Sequence, residues 1–169
     1  MTPKRSRRDL GQSLVEFALV IPIFLLVLVG LIDTGRAVYT NNTLAQAARE
    51  ATRLAATQAF WVGSSDAACN AAAGPVCPAN VAALKTNVDA AANRMVVGLG
   101  TLATSQIYIQ CNLAASPPTG AWTGATCNNR NSGDLVSVRI TYTFTMLTPI
   151  VGRIANNLSM SASATMLVN

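Results

Sequence analysis

The feature that most constrains this chain of 169 residues is an apolar run near its start. Residues 14–32 hold 16 apolar side chains in 19 positions. As an α-helix that rises about 1.5 Å per residue, the run would be roughly 28 Å long, close to the ~30 Å hydrocarbon thickness of a bilayer. The run therefore predicts a helix that spans a membrane.

The charges before the apolar run indicate its orientation. Four basic residues precede it: Lys4, Arg5, Arg7 and Arg8. Positive flanks stay in the cytoplasm, so this topology signal predicts a cytoplasmic leader, a single pass through the cytoplasmic (inner) membrane and a C-terminal domain outside. Past residue 11 the chain carries eight scattered bases against six acids. That distribution argues against a nucleic-acid surface.

A cleaved secretory signal is the alternative interpretation of the apolar run. The apolar part of such a signal is usually about 7–15 residues long and ends at small residues. This run is longer and ends at Asp33-Thr34-Gly35-Arg36, a poor cleavage site. A spanning helix is therefore favoured over a removed signal.

Glu16 is a carboxylate inside the apolar run. A charge in hydrocarbon costs on the order of 2–3 kcal/mol, so the sequence predicts a partner for it. A cut between Gly11 and Gln12 would make Gln12 the first residue and would place its α-ammonium one helical turn from Glu16. The hypothesis is that Glu16 docks on the Gln12 nitrogen of a neighbouring subunit.

These residues carry a resemblance to a known family. The basic leader followed by Gly11-Gln-Ser-Leu-Val-Glu16-Phe17 resembles the cleavage motif of type IV prepilins. The longer stretch through Pro22, Asp33-Thr-Gly-Arg36 and Ala45-Gln-Ala-Ala-Arg-Glu-Ala-Thr-Arg53 is similar to the TadE-like proteins of the tight-adherence (Tad, Flp or type IVc) pilus system. The resemblance covers about residues 5–56, a third of the chain.

The resemblance implies a minor pilin (pseudopilin) that acts in pilus assembly and surface adhesion. A prepilin peptidase would cut after Gly11, and the other partners would be the pilin, a second pseudopilin and the inner-membrane platform. The mature subunit could then lie within the pilus or at its tip or base. The domains would be a cleaved leader 1–11, a transmembrane and assembly helix 12–32, and an extracytoplasmic domain 33–169. The alternative is an uncleaved single-span envelope protein whose outer domain binds a partner.

The remaining sequence predicts a pilin-like α+β fold. The first helix should continue to about Phe60, loosened at Pro22 and weakest at Tyr39–Thr43. A second helix is expected at about 79–97, ended by Gly98 and Gly100. Its apolar face should hold Val81, Leu84, Val88, Ala92 and Met95, with Lys85, Asp89 and Arg94 elsewhere. Three segments with a period of two predict a C-terminal antiparallel sheet: 107–113, 136–146 and 158–168. A stripe on the first helix should pack against the domain: Val38, Ala45, Ala48, Thr52, Ala55 and Ala59.

The reactive side chains point to a structural protein rather than an enzyme. The chain has no histidine, so the commonest acid–base, nucleophile and zinc arrangements are excluded, and no catalytic residue, metal, cofactor or small-molecule substrate is predicted.

Outside the cytoplasm, four cysteines predict two disulfides: Cys69, Cys77, Cys111 and Cys127. Three pairings are possible. The local one, Cys69–Cys77 with Cys111–Cys127, is preferred, and four buried free thiols are the alternative.

Overall fold

The computed structural model describes residues 7–59, 62, 80–111, 133–147 and 158–168, with side chains from residue 11 onward. Two helices come first, α1 (Arg7–Ala59) and α2 (Val81–Met95). A 3-10 turn (Thr104–Gln106) leads into three strands: β1 (Ile107–Cys111), β2 (Leu135–Phe144) and β3 (Leu158–Leu167). The predicted α+β class and the order of the elements are confirmed.

Helix α1 is continuous over 53 residues, including Pro22. It also continues through Asn41 and Asn42, where a weak point was predicted. The Thr43 hydroxyl donates to the Tyr39 carbonyl at 2.9 Å in this stretch. The prediction of one long helix is therefore confirmed, and its start lies before the proposed cleavage bond.

The chain divides into two compact units. One comprises residues 1–38 and 145–158, and the other comprises residues 39–144 and 159–169. The hydrophobic core belongs to the second unit.

The sheet of the second unit has the order β1-β2-β3, with β2 in the centre. β1 and β2 are antiparallel, and Ile109 lies opposite Val138 in their register. The alternate side chains of these strands are buried in the core together with small residues of α1 and the apolar side of α2. The fully buried aliphatic residues are Leu44, Leu84, Val88, Ile107, Ile109, Val136, Val138 and Ile140. The alternation predicted for β1 and β2 thus marks the core face.

Alternation in β2 predicted a polar face opposite the core face. Ser137, which belongs to that polar face, is nevertheless fully buried. Its hydroxyl donates to the Ala164 carbonyl at 3.1 Å and accepts from the Thr165 hydroxyl at 3.0 Å. Thr52 of α1 also reaches the Ala164 carbonyl, at 3.3 Å, although its shorter bond of 2.6 Å goes to Ala48. Local hydrogen bonds to β3 and to neighbouring side chains thus compensate for the burial of these hydroxyls.

β3 is less buried than its alternation predicted. Met160, Ala162 and Ala164 pack against the core as expected. Leu158 and Met166, predicted on the same face, are exposed. β3 is an edge strand of the described sheet and pairs on one side only, whereas β2 lies in the centre.

The predicted stripe on α1 is partly confirmed. Ala48, Thr52, Ala55 and Ala59 are buried. Val38 was assigned to the stripe wrongly, because it is exposed at the end of the first unit. The buried surface is also wider than predicted and includes Leu44, Ala47, Ala51 and Ala56. A helix facing a sheet buries a stripe wider than one row of side chains.

Helix α2 begins after Asn80, whose side-chain oxygen accepts the Ala83 N–H at 2.9 Å. The chain leaves α2 through Gly98 and Gly100, both at positive φ, as the predicted helix end requires. Lys85 was expected away from the apolar face but is buried and pairs with Asp89, and it also donates to the Thr104 carbonyl at 3.2 Å. Met95, expected on the apolar face, is exposed.

Candidate functional site

The first part of α1 exposes apolar side chains on all sides. Every residue from 11 to 28 is exposed, and Phe17 and Phe24 each leave about 60% of their surface uncovered. A soluble domain rarely leaves so large an apolar surface uncovered. By length and composition, α1 is apolar enough to cross a membrane. This part of the helix therefore fits a bilayer or a partner, as the apolar run predicted.

Gln12 and Glu16 lie on one face of this helix, because residues four apart are neighbours on a helical surface. They line a shallow surface groove together with Val15, Leu19 and Val20. Glu16 is the only charged residue between positions 11 and 32. Both predicted docking residues are therefore accessible to a neighbouring molecule from the same side.

The Gly11–Gln12 peptide bond lies inside α1, which begins at Arg7. A methyl group added at Gly11 would meet nothing within 4 Å. Glycine in a helix interior is about 1 kcal/mol less favourable than alanine. The described contacts of this chain give no reason for a glycine here, and the same holds for Gly30 and Gly35.

The basic topology signal is only partly within the described residues. Arg7 and Arg8 form the first positions of α1. Lys4 and Arg5 lie outside the described part of the chain. The orientation of the helix in a membrane stays a prediction.

The end of the apolar run holds a residue whose role the sequence did not indicate. Asp33 is 7% exposed. Its Oδ1 accepts the backbone N–H of Leu147 at 3.0 Å and faces Nη1 of Arg36 at 3.4 Å. The sequence signal that could have indicated this role is the position of Asp33, a carboxylate directly after an apolar run that itself contains the carboxylate Glu16.

The charged residues in the Ala-Ala-Arg-Glu stretch face away from the core. Arg53 binds Glu50 through two bonds, Nη2 to Oε1 at 2.8 Å and Nε to Oε2 at 3.0 Å. The hydrogen bond from Arg53 lowers the pKa of Glu50 below its ordinary value, and the same bond raises the pKa of Arg53. Arg49 is exposed as well. This surface of α1 is therefore polar.

One of the four predicted disulfide residues is described. Cys111 ends β1, is buried and lies opposite Val136. Cys69, Cys77 and Cys127 lie outside the described residues, so the pairing stays a prediction. Within the described ranges, no three Asp, Glu or Cys side chains come together in a way that could hold a metal ion.

The segment that carries these features also matches a known family. Residues 11–53 match the family model described as TadE-like protein. No curated protein and no solved structure matches the chain. The matched range runs from the proposed cleavage glycine through Glu16 and Asp33 to Arg53, where the motif residues predicted the resemblance. The N-terminal segment of this protein is therefore similar to TadE-like proteins over residues 11–53.

Proposed function

We propose that this protein is a minor pilin subunit that is cut after Gly11 by a prepilin peptidase and then takes part in Tad pilus assembly and surface adhesion. The observation that carries the proposal is the position of Glu16. Glu16 is the single charged residue in the exposed apolar part of α1, residues 11–28, and it stands one turn after Gln12, within the segment that matches the TadE-like family. The family match supports a Tad-associated role, and the geometry of the helix supports cleavage after Gly11 and docking through Glu16.

Cleavage would change the electrostatics of the helix start. In the uncut chain the Gln12 nitrogen is part of a peptide bond inside α1. A cut after Gly11 frees that nitrogen as an α-ammonium and removes the four bases before it. Two opposite charges 4 Å apart attract by about 4 kcal/mol at an effective dielectric of about 20. An attraction of that size can offset the cost of keeping Glu16 in an apolar environment.

The geometry favours pairing between subunits. Gln12 and Glu16 open to the same groove on the helix surface, and the surrounding side chains are apolar. When two such helices pack together, Glu16 of one copy can reach the new terminus of the next while the apolar side chains of both are buried. The cut would thus convert a membrane anchor into a helix that can move from the bilayer into an assembly.

Location and partners follow from the same proposal. The subunit would begin in the cytoplasmic membrane with its leader inside and its α+β domain outside. It would meet the peptidase, the inner-membrane platform, the pilin and a second pseudopilin. Its part would be structural, without catalysis. In that oxidising location the four cysteines would form two disulfides, which alkylation mapping before and after reduction would identify.

The N-terminal mass of the protein tests the proposal. The full chain should be extracted from the membrane of a host that carries the peptidase, and from the same host without it. We expect a chain that starts at Gln12 in the first host and an intact chain in the second. An intact start in both would contradict cleavage and favour an uncleaved single-span envelope protein.

A further inference from the structure

We infer that Leu147 is a second membrane contact of this protein, held at the lipid headgroup level by Asp33. The inference rests on the proposed insertion of α1 in a bilayer. It goes beyond that proposal because Leu147 lies 114 residues from Asp33 along the chain and is not part of the apolar run. The surface concerned is the exit rim, which we define as Ile32, Asp33, Arg36 and Leu147.

The length of the apolar run places the exit rim at the edge of the bilayer. Residues 14–32 extend over about 28 Å as a helix, which nearly fills a hydrocarbon layer of about 30 Å. Asp33 is the first charged residue after this run, and Arg36 follows one turn later. Charged side chains next to an apolar span mark the level where hydrocarbon gives way to polar headgroups.

A hydrogen bond brings Leu147 to that level. Oδ1 of Asp33 accepts the Leu147 N–H at 3.0 Å, and both residues belong to the same compact unit. The backbone of Leu147 is therefore within one hydrogen bond of the residue that ends the apolar run. The chain at Leu147 thus lies next to the helix at the end of its apolar run.

The two apolar side chains of the exit rim, Ile32 and Leu147, suit a lipid surface better than water. Leu147 leaves 61% of its surface uncovered, and Ile32 leaves 47% uncovered. When the side chain of an uncovered leucine near the end of a spanning helix enters the apolar part of the interface, apolar surface leaves water and the protein is stabilised there. The buried Asp33 carboxylate is turned to Leu147 and Arg36, so its charge is already compensated on the protein side.

Spin labelling in membranes tests this inference. The full, oxidised chain would carry a nitroxide at Leu147→Cys and would be reconstituted in vesicles of phosphatidylethanolamine and phosphatidylglycerol. The label's collision rates with oxygen and with a water-soluble nickel chelate give its depth. Leu26→Cys on the exposed apolar helix is the lipid reference, and Thr57→Cys, exposed further along α1, is the water reference. The chain without an added cysteine, treated with the same reagent, gives the background.

We expect the ratio of oxygen to nickel collisions at position 147 to lie between the two references and clearly above Thr57. A ratio equal to that at Thr57 would overturn the inference. Low rates with both reagents, together with broadening between labels, would mean that a second copy covers Leu147, which would also overturn it. If the Leu26 label itself is exposed to water, membrane insertion fails. That result is distinct from failure at position 147 alone.

A second variant tests the part that Asp33 plays. Asp33→Ala removes the acceptor of the Leu147 N–H, and the label at 147 should then shift toward the water reference. Asp33→Asn keeps a side-chain oxygen and should keep most of the lipid contact. An unchanged ratio in Asp33→Ala would show that the hydrogen bond does not hold Leu147 at the membrane.

Discussion

The Asp33 side chain accepts the backbone N–H of Leu147 at 3.0 Å and so joins the end of the apolar run to the segment that follows β2. The carboxylate is buried, while the side chain of its other partner, Arg36, is 45% exposed. A buried carboxylate needs hydrogen-bond donors, and here a backbone amide from a remote part of the chain supplies one. Asp33 therefore holds the backbone of Leu147 next to α1.

Removing this acceptor should expose the Leu147 amide. A hydrogen bond to a charged group contributes about 1.5–3 kcal/mol, which corresponds to a roughly ten- to hundredfold change in local opening. In Asp33→Ala, hydrogen exchange at the Leu147 amide should accelerate by that factor, as mass spectrometry of the detergent-solubilised protein can measure. Asp33→Asn, which retains an oxygen, should show a smaller effect. Equal exchange rates in all three proteins would contradict the assigned bond.

Substitution at Gly11 should block processing without disturbing the fold. Space is open around Gly11, so Gly11→Leu fits the helix, but a bulky side chain at the scissile bond should prevent close approach of the peptidase. We expect unprocessed precursor on immunoblots of Gly11→Leu and partial processing of Gly11→Ala. Gly35→Leu is the matched control, because its surroundings are equally open. A normal mature band from Gly11→Leu would contradict the cut site.

Loss of the Glu16 carboxylate should abolish assembly while cleavage and insertion continue. Glu16→Ala removes the charge that the freed Gln12 terminus would meet, and the helix stays apolar. Fractionation should find the processed protein in the membrane, and electron microscopy should find no surface fibres. Glu50→Ala, which removes a half-buried carboxylate outside the apolar run, should assemble normally. Normal fibres in Glu16→Ala would refute the docking role.

The buried ion pair of α2 should be sensitive to the loss of one partner. The side chains of Lys85 and Asp89 are 11% and 13% exposed. Asp89→Asn would remove the negative charge that pairs with the Lys85 ammonium. The free energy of unfolding should therefore fall by about 3 kcal/mol. The double variant Lys85→Met with Asp89→Leu should recover most of this loss.

Denaturant titration of the full chain in detergent measures these changes. Glu50→Gln, which breaks the exposed pair on α1, is the control and should change the unfolding free energy little. If Asp89→Asn were as stable as the control, the pair would have no structural role.

The pair of Glu50 and Arg53 should give a small, acid-sensitive contribution to stability. Because Arg53 lowers the pKa of Glu50 from its ordinary 4.5, the folded chain holds this carboxylate ionised more strongly than the unfolded chain does. The contribution is complete above pH 4.5 and disappears as the pH falls through the lowered pKa. The Tm difference between the wild-type protein and Glu50→Gln should therefore narrow in acid. A difference that stays constant from neutral to acidic pH would contradict the pKa shift.

Periodicity in the sequence predicted most of the apolar strand and α2 residues that enter the core, although Met95, Leu158 and Met166 are exposed. The alternation of Val136, Val138 and Ile140 identified the buried face of β2, and the spacing of Leu84 and Val88 identified that of α2. Periodicity did not predict the buried polar residues. Ser137 and Lys85 are buried because acceptors in β3 and in the 3-10 turn lie close to them, and a pattern along one element contains no information about its neighbours.

The sequence alone determined the apolar helix, its isolated carboxylate Glu16, the resemblance to TadE-like proteins and the α+β order of the elements. These features follow from local composition and spacing, since helix length, strand alternation and charge order are properties of consecutive residues. Only the tertiary structure decided that Asp33 binds Leu147. That hydrogen bond joins residues 114 positions apart, and such a contact exists only after the chain has folded back on its own first helix.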